Sequence, residues 1–380
     1  MTTIDLSHVP LVDNHCHGIY RAQKPEDVSS WRQHFTESSD AGMRSTHAAT
    51  TLFYRRLIHA MAAFFGCEAT ESAVLAARQQ HDHHSLIRQY FRAANIEVLV
   101  LDKGYPPEEM VLNDVEHAAL AGCGVAPILR VELLMQDLIT QYDSLSTVIE
   151  ALKEALKDVR GQGYVALKSI VAYRTGLDIR TWDKFTIATT FAEARRLVRM
   201  QGHLRLMHKP LLDTLLHVVF EEAARQELPI QFHTGYGDTD ADMLLANPLN
   251  LRAVLERKEY RHMPVVLLHE SYPYTAQGAY LAAVYENVYF DLSYGIPFLG
   301  YHEMLRCTQT ALDVAPSSKL LYSSDGVGVP EIHWLSARDG RRILEQALSE
   351  RVDSGELSTT EAEGVGTAIL RDNARQLYGL

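Results

Sequence analysis

The sequence is short of cysteine, of basic charge and of long apolar runs. Its four cysteines (Cys16, Cys67, Cys123, Cys307) are scattered over 380 residues. The opening stretch, Met-Thr-Thr-Ile-Asp-Leu-Ser, lacks the basic and apolar regions of a secretory leader. Reduced thiols in a cytoplasmic protein are therefore expected. Lysine and arginine total 36 against 48 aspartates and glutamates, a formal net charge of -12. A chain this acidic is not built to hold nucleic acid or an anionic membrane through general electrostatics. No run of eighteen apolar residues occurs, which excludes a transmembrane helix. Internal repeats and low-complexity tracts are also missing. What is present is ordinary globular composition, 47% hydrophobic and 22% charged, which excludes a disordered chain. The length suits one large α/β barrel or two domains. The unusual count is 18 histidines.

Eight short apolar runs recur, at 10–13, 96–101, 125–131, 164–170, 229–232, 264–268, 288–292 and 320–323. Most are rich in β-branched or aromatic residues, the pattern of parallel strands covered on both faces. Helical stretches lie between them. Pro107-Glu108-Glu109 predicts a helix start, with proline and acids where the helix dipole favours them. Further helices are predicted over 144–159, 211–227, 250–257, 275–285, 300–312 and 337–349, with a closing helix over 359–378. Strands alternating with helices predict an α/β fold, a (β/α)8 TIM barrel.

Two segments depart from the alternation. Residues 18–88 separate the first two strands by far more than a normal crossover. They are largely helical in pattern, over 55–65 and 71–80, and predict a cap or oligomerisation insertion within a single domain spanning 1–380. The stretch from Leu11 to Asp325 is 315 residues long. Without the insertion it is about 240, close to the ~250 typical of this barrel. Residues 181–210 predict a long linker with one basic helix over 192–200. Self-association is expected through the apolar stretch 58–65, with packing on its own barrel rim as the alternative. His81, His83 and His84 read as a solvated helix face. His203, His208, His217, His262, His302 and His333 lie away from strand ends and read as structural.

Several strands end in residues that ligate metals. The first ends Asp13-Asn14-His15-Cys16-His17, the fourth at Lys168, the fifth at His233, the sixth at His269, and the eighth at Ser324-Asp325-Gly326. In this barrel the C-terminal strand ends form one face, where active sites sit. On a strand, His-x-His puts both imidazoles on one side. Such a pair suits zinc or another borderline divalent ion, with a carboxylate completing the shell. Each residue alone has an ordinary structural explanation. Five strand ends carrying them together do not.

The order His-x-His, lysine, histidine, histidine, aspartate resembles the amidohydrolase superfamily. Longer stretches resemble one branch of it, the amidohydrolase-like half of fungal and plant proteins fused to a glutamine-synthetase-like domain. They are Ala166-Leu167-Lys168-Ser169-Ile170-Val171-Ala172-Tyr173-Arg174-Thr175-Gly176-Leu177, Gln231-Phe232-His233-Thr234-Gly235-Tyr236-Gly237-Asp238, Leu267-Leu268-His269-Glu270-Ser271-Tyr272-Pro273-Tyr274 and Tyr322-Ser323-Ser324-Asp325-Gly326. No ligase-like sequence follows the barrel pattern here, so no activity of that second domain is expected. The resemblance implies a metal held by His15, His17, His233 and Asp325. It implies that His269 is a second-metal ligand or a polarising group, and that Lys168 stands where a lysine can be carboxylated to bridge two metals. An unmodified lysine is cationic (pKa about 10.4) and would repel the ion. Lys168 is then carboxylated, shifted in pKa, or turned toward substrate.

The expected cofactor is one or two zinc ions, with manganese or iron as alternatives. Zinc makes hydroxide available near neutrality. Asp325 would move the proton to the leaving group, while His269 or a second metal would stabilise the oxyanion. Arg174, beside Tyr173, is the candidate clamp for a substrate carboxylate. The expected reaction is hydrolysis of a C–N bond in a small carboxylated amide, with glutamine-like or γ-glutamyl amides suggested by the branch. The alternatives are a metal-dependent decarboxylase of a small carboxylic acid and a regulatory barrel without turnover.

Overall fold

A computed structural model describes residues 3–22 and 27–380. Its strands are β1 (Leu11–His17), β2 (Ile96–Asp102), β3 (Gly124–Arg130), β4 (Ala166–Ser169), β5 (Ile230–Phe232), β6 (Val265–Leu267), β7 (Val288–Ser293) and β8 (Leu320–Ser323). All eight expected runs are strands. They form one sheet in chain order. The pairs β1–β2, β3–β4, β4–β5, β5–β6 and β6–β7 are parallel, with the register of β1–β2 shifting between Leu11 and Val12 and again between Asp13 and Cys16. The segment after β8 returns to β1, where Asp325 N donates to His15 O at 3.0 Å and His17 N to Gly326 O at 2.8 Å. With helices between the strands, this is the expected (β/α)8 barrel.

Before β2 come α1 (Val28–Gln33), α2 (Leu52–Phe65), α3 (Glu71–Arg78) and α4 (His83–Ala94). Side-chain caps set their starts. Asp27, Thr51, Thr70 and Asp82 each accept a first-turn backbone N–H. Helix α2 ends on left-handed Gly66. The later helices are α5 (Asp114–Ala121), α6 (Val131–Gln141), α7 (Leu145–Ala155), α8 (Lys184–Gln201), α9 (Lys209–Arg225), α10 (Arg252–Leu255), α11 (Thr275–Val284), α12 (Tyr301–Val314), α13 (Pro330–Asp353), α14 (Thr359–Thr367) and α15 (Asn373–Tyr378).

Several expectations need correcting. No helix starts at Pro107: Glu108–Met110 is a single 3-10 turn, and α5 begins at a capping box formed by Asn113 and Glu116. Helix α6 follows β3 with no capping side chain, so its apolar start reads as more strand. The first two turns of α13 are almost wholly buried and show no polar face. The stretch 181–210 holds an 18-residue helix, α8, capped by Asp183. The boundary at 88 falls inside α4, which leads directly into β2.

Contacts divide the chain into two compact units, residues 1–126 with 291–376 and 380, and residues 127–290 with 377–379. In the first, the stretch 58–65 packs internally. Phe64 lies 4.6 Å from the Tyr90 ring and 5.2 Å from that of Trp334. Buried Arg78 pairs with Glu331 at 2.6 Å, and Arg56 with Asp339 at 2.6 Å. These contacts pack the insertion against α13, the rim packing expected as the alternative to self-association. His83 is not a solvated residue: its Nε2 donates to Tyr20 O at 2.7 Å, and burial lowers its pKa. In the second unit, Leu211, Leu212, Leu215, Leu216, Val219 and Phe220 bury one face of α9, with Phe220 against Phe232 of β5. Each such side chain contributes roughly 1.5–3 kcal/mol by burial.

Candidate metal centre

Strand β1 carries His15 and His17 into the first unit, their rings 5.0 Å apart and edge to face. Asp325 follows β8. Its Oδ1 lies 3.6 Å from His15 Nε2 and 3.4 Å from His17 Nε2. Two ligand atoms held ~2.1 Å from one ion at a tetrahedral angle would lie roughly 3.4 Å apart, so this spacing fits a shared ion. The other His17 nitrogen, Nδ1, donates to the backbone carbonyl of Tyr105 at 3.1 Å. A carbonyl only accepts, so Nδ1 carries the hydrogen, and in the neutral tautomer the Nε2 lone pair faces Asp325. Buried Asp102, at the end of β2, stands 4.0 Å from the same Nδ1 and accepts from Gly104 N at 2.9 Å. Cys16, between the two histidines, is no thiolate. Burial, then the Asp13 charge, pushes its thiol well above the usual range.

A cavity of about 300 Å³ opens beside Asp102 and Tyr105. Arg21 and Lys103 line it, and they pair with Glu116 at 2.7 Å and Asp114 at 3.3 Å.

The second unit carries Lys168, His233, His269, Tyr173 and Arg174. Lys168 is buried on β4, in register with Arg130 on β3 and Gln231 on β5. His233 follows β5, its ring centroid 4.5 Å from His269 and 4.3 Å from Tyr173. Its Nε2 donates to Tyr236 O at 2.6 Å. The neutral ring then has its lone pair on Nδ1, the reverse of His17.

The turn after β6 is unusual. His269, Glu270 and Ser271 have φ of 63°, 53° and 48°, three successive left-handed residues. Non-glycine residues there are uncommon, and the surroundings must hold them. The turn after β5 does so: Thr234 Oγ1 donates to Leu268 O at 2.6 Å and lies 2.8 Å from Ser271 Oγ. Tyr236 N donates to Tyr272 O at 2.7 Å. Gly235, at φ 73°, lies so close that a Cβ would meet Tyr272 O at 2.3 Å.

Arg174 is half-buried, and its Nε has no partner among the described residues. Burial, then the Arg205 charge, lowers its pKa. The charges of Arg130, Glu132 and Asp240 also act on it. Glu132 is fully buried, and its Oε1 accepts from Ser169 Oγ at 2.6 Å and Ile170 N at 3.0 Å. Burial pushes its carboxyl up.

The structure thus brings His15, His17 and Asp325 together in one unit, and Tyr173, His233 and His269 in the other. Sequence reasoning gave no role to Asp13, Asp102, Tyr105, Glu132 or Ser324, and read His333 as structural. Asp13 gave the one visible signal, standing two residues before His15. Tyr105 takes part through its backbone, which no residue type announces.

Residues 150–380 match the protein family described as Amidohydrolase. The fluG protein of Emericella nidulans is 30% identical over 98% of this chain, and the chain spans 46% of that relative, about half its length. A crystal structure from Lactobacillus casei, of a protein provisionally named a metal-dependent hydrolase, matches at TM-score 0.87 with 29% identity, covering 100% of this chain and 98% of that one. A uronate isomerase from Thermotoga maritima matches at TM-score 0.66 with 14% identity, covering 98% and 95%, a likeness of fold alone.

Proposed function

The chain belongs to the amidohydrolase family and is an enzyme of that superfamily, and from this premise we propose that it hydrolyses a C–N bond in a small carboxylated amide. The observation that carries the reading is the convergence of two imidazole Nε2 atoms on one oxygen of Asp325. In this reading His15, His17, His233 and Asp325 hold a divalent ion, zinc by preference, with manganese or iron also suited to mixed nitrogen and oxygen ligands. Such an ion supplies an activated water and polarises the scissile carbonyl. A second ion would be held by His269 and a carboxylated Lys168. An unmodified Lys168 would instead donate to substrate.

The remaining steps belong to the chain's own groups. The Asp325 carboxylate accepts the proton of the attacking water and returns it to the departing amine nitrogen. His269 stabilises the charge developing on the carbonyl oxygen. Arg174 takes the substrate carboxylate, which would supply its Nε with an acceptor. The Tyr173 ring, against His233, walls the site. The 380 residues act as one catalytic domain in the cytoplasm, a location supported by four free cysteines.

The test is metal analysis joined to a substrate screen. Purified protein should carry one or two zinc equivalents and release amine or ammonia from carboxylated amides, γ-glutamyl amides among them. Release of carbon dioxide from carboxylic acids without amide turnover would replace this reading with a decarboxylase. Bound metal without either activity would leave a regulatory barrel.

A further inference from the structure

Asp325 has φ 49°, in the left-handed region that a non-glycine residue keeps only when its neighbours fix it. Its neighbours are fixed by three buried groups. Asp13, two residues before His15 on β1, accepts from Ser324 N through Oδ1 at 2.8 Å and from Ser324 Oγ through Oδ2 at 2.5 Å. Ser324 Oγ accepts from Gly326 N at 2.9 Å. It also lies 3.3 Å from Nδ1 of His333, which stands 3.6 Å from Asp13 Oδ2. A hydroxyl has one hydrogen and two lone pairs. Here the hydrogen goes to Asp13, and the lone pairs face Gly326 N and His333 Nδ1.

His333 acts a second time. Its ring, carried by α13, lies against Gly326, where an added Cβ would meet Cε1 and Nε2 at 2.6 Å. The residues on both sides of Asp325 are therefore clamped. Asp13, Ser324 and His333 are all fully buried. A buried carboxylate is costly unless donors meet it, so packing alone would favour an apolar residue at position 13. Asp13, Cys16 and His333 also cluster closely enough to suit a metal. Both oxygens of Asp13 already receive donors from Ser324, and the cluster reads instead as a hydrogen-bonded bracket.

We propose that Asp13, Ser324 and His333 are positioning residues that hold Asp325 left-handed and so aim its carboxylate at Nε2 of His15 and His17. The inference rests on the ligand reading above. The three residues touch none of the reacting atoms. Their effect is read in how tightly the site takes metal, because groups that orient ligands set metal affinity.

The experiment measures zinc dissociation constants by chelator competition for the wild type, Ser324→Ala, Asp13→Asn and His17→Ala, together with thermal melting of each metal-free protein. Ser324→Ala removes one buried oxygen and leaves the backbone bond to Asp13. The expected result is a loss of zinc affinity of about ten- to a hundredfold in Ser324→Ala and Asp13→Asn, with metal-free melting close to wild type. Affinity within about threefold of wild type in Ser324→Ala, while His17→Ala loses zinc, makes the bracket purely structural; it overturns this inference and leaves the ligand reading standing. Full zinc affinity in His17→Ala removes the ligand reading, and this inference with it. Should Asp13→Asn fail to fold, Ser324→Ala decides.

Discussion

His17 donates its Nδ1 hydrogen to the backbone carbonyl of Tyr105 at 3.1 Å, and that bond determines what the rest of the ring can do. With Nδ1 committed, a neutral ring has its lone pair on Nε2, which faces Asp325 at 3.4 Å. A loop carbonyl thus selects the tautomer suited to a metal ligand before any ion arrives.

The first prediction concerns metal content. His17→Ala deletes one proposed ligand and leaves the fold, because the side chain is at a strand end and not in the core. Zinc bound after dialysis should drop from near stoichiometric to near zero. Elemental analysis of the folded variant checks it, and retention of full metal would reject the assignment.

Lys168→Met keeps the stem and removes the nitrogen. Lys168 is buried on β4, where an aliphatic stem is tolerated and a nitrogen needs a purpose. Turnover of the amide substrate should fall at least about tenfold, or ~1.4 kcal/mol of barrier, with the fold retained. Steady-state kinetics on the folded variant measures this, and wild-type turnover would reduce Lys168 to a structural residue.

Arg174→Lys separates binding from chemistry. Lysine keeps the charge and loses the planar fork. If Arg174 clamps a carboxylate, KM should rise by about tenfold or more while kcat changes little, the signature of binding shared by ground and transition states. A fall in kcat with KM unchanged would contradict the clamp.

His117 should make stability depend on pH. Its Nδ1 donates to Asn113 O at 3.0 Å, and its Nε2 accepts from Ile19 N at 3.0 Å. Burial lowers its pKa in the folded state. The unfolded chain therefore takes up the proton first, near pH ~6.5. The stabilisation is complete above that value and is lost as pH falls through the lower folded pKa. Burial of His83 and His217 acts in the same direction. Melting temperature should drop between about pH 7 and pH 5.5, and His117→Gln should flatten the slope. An unchanged slope would exclude His117 as a source.

Gly235→Ala should be among the most damaging single-methyl changes. The new Cβ would meet Tyr272 O at 2.3 Å and sit on a backbone with φ 73°. A loss of at least about 2 kcal/mol is expected, with the His233–His269 arrangement disturbed as well. Denaturant unfolding measures it, and a neutral result would mean that the two turns are not locked together.

Position along the chain made the barrel legible. Each strand announced itself as a short apolar run, because a strand covered on both faces has no polar side to disguise it. His15, His17, Lys168, His233, His269 and Asp325 stand out as candidates for a related reason: they lie where those runs stop. Helix α6 and the start of α13 were not legible. One has no capping residue and the other no solvent face, so neither carries the local signal on which such a reading depends.

The order of strands, and which of them end in a possible ligand, can be read along the chain. Both follow from local chemistry, apolar patterning and residue type. The tertiary structure decided which atoms of those residues face one another. Nothing near His17 in the chain states that Tyr105 O will take its Nδ1 hydrogen, because that carbonyl is 88 residues away. Nor does Ser-Ser-Asp-Gly state that Asp13, 311 residues from Ser324, will hold the turn left-handed. A tautomer and a backbone angle depend on hydrogen bonds between distant segments, and those partners meet only when the chain is folded.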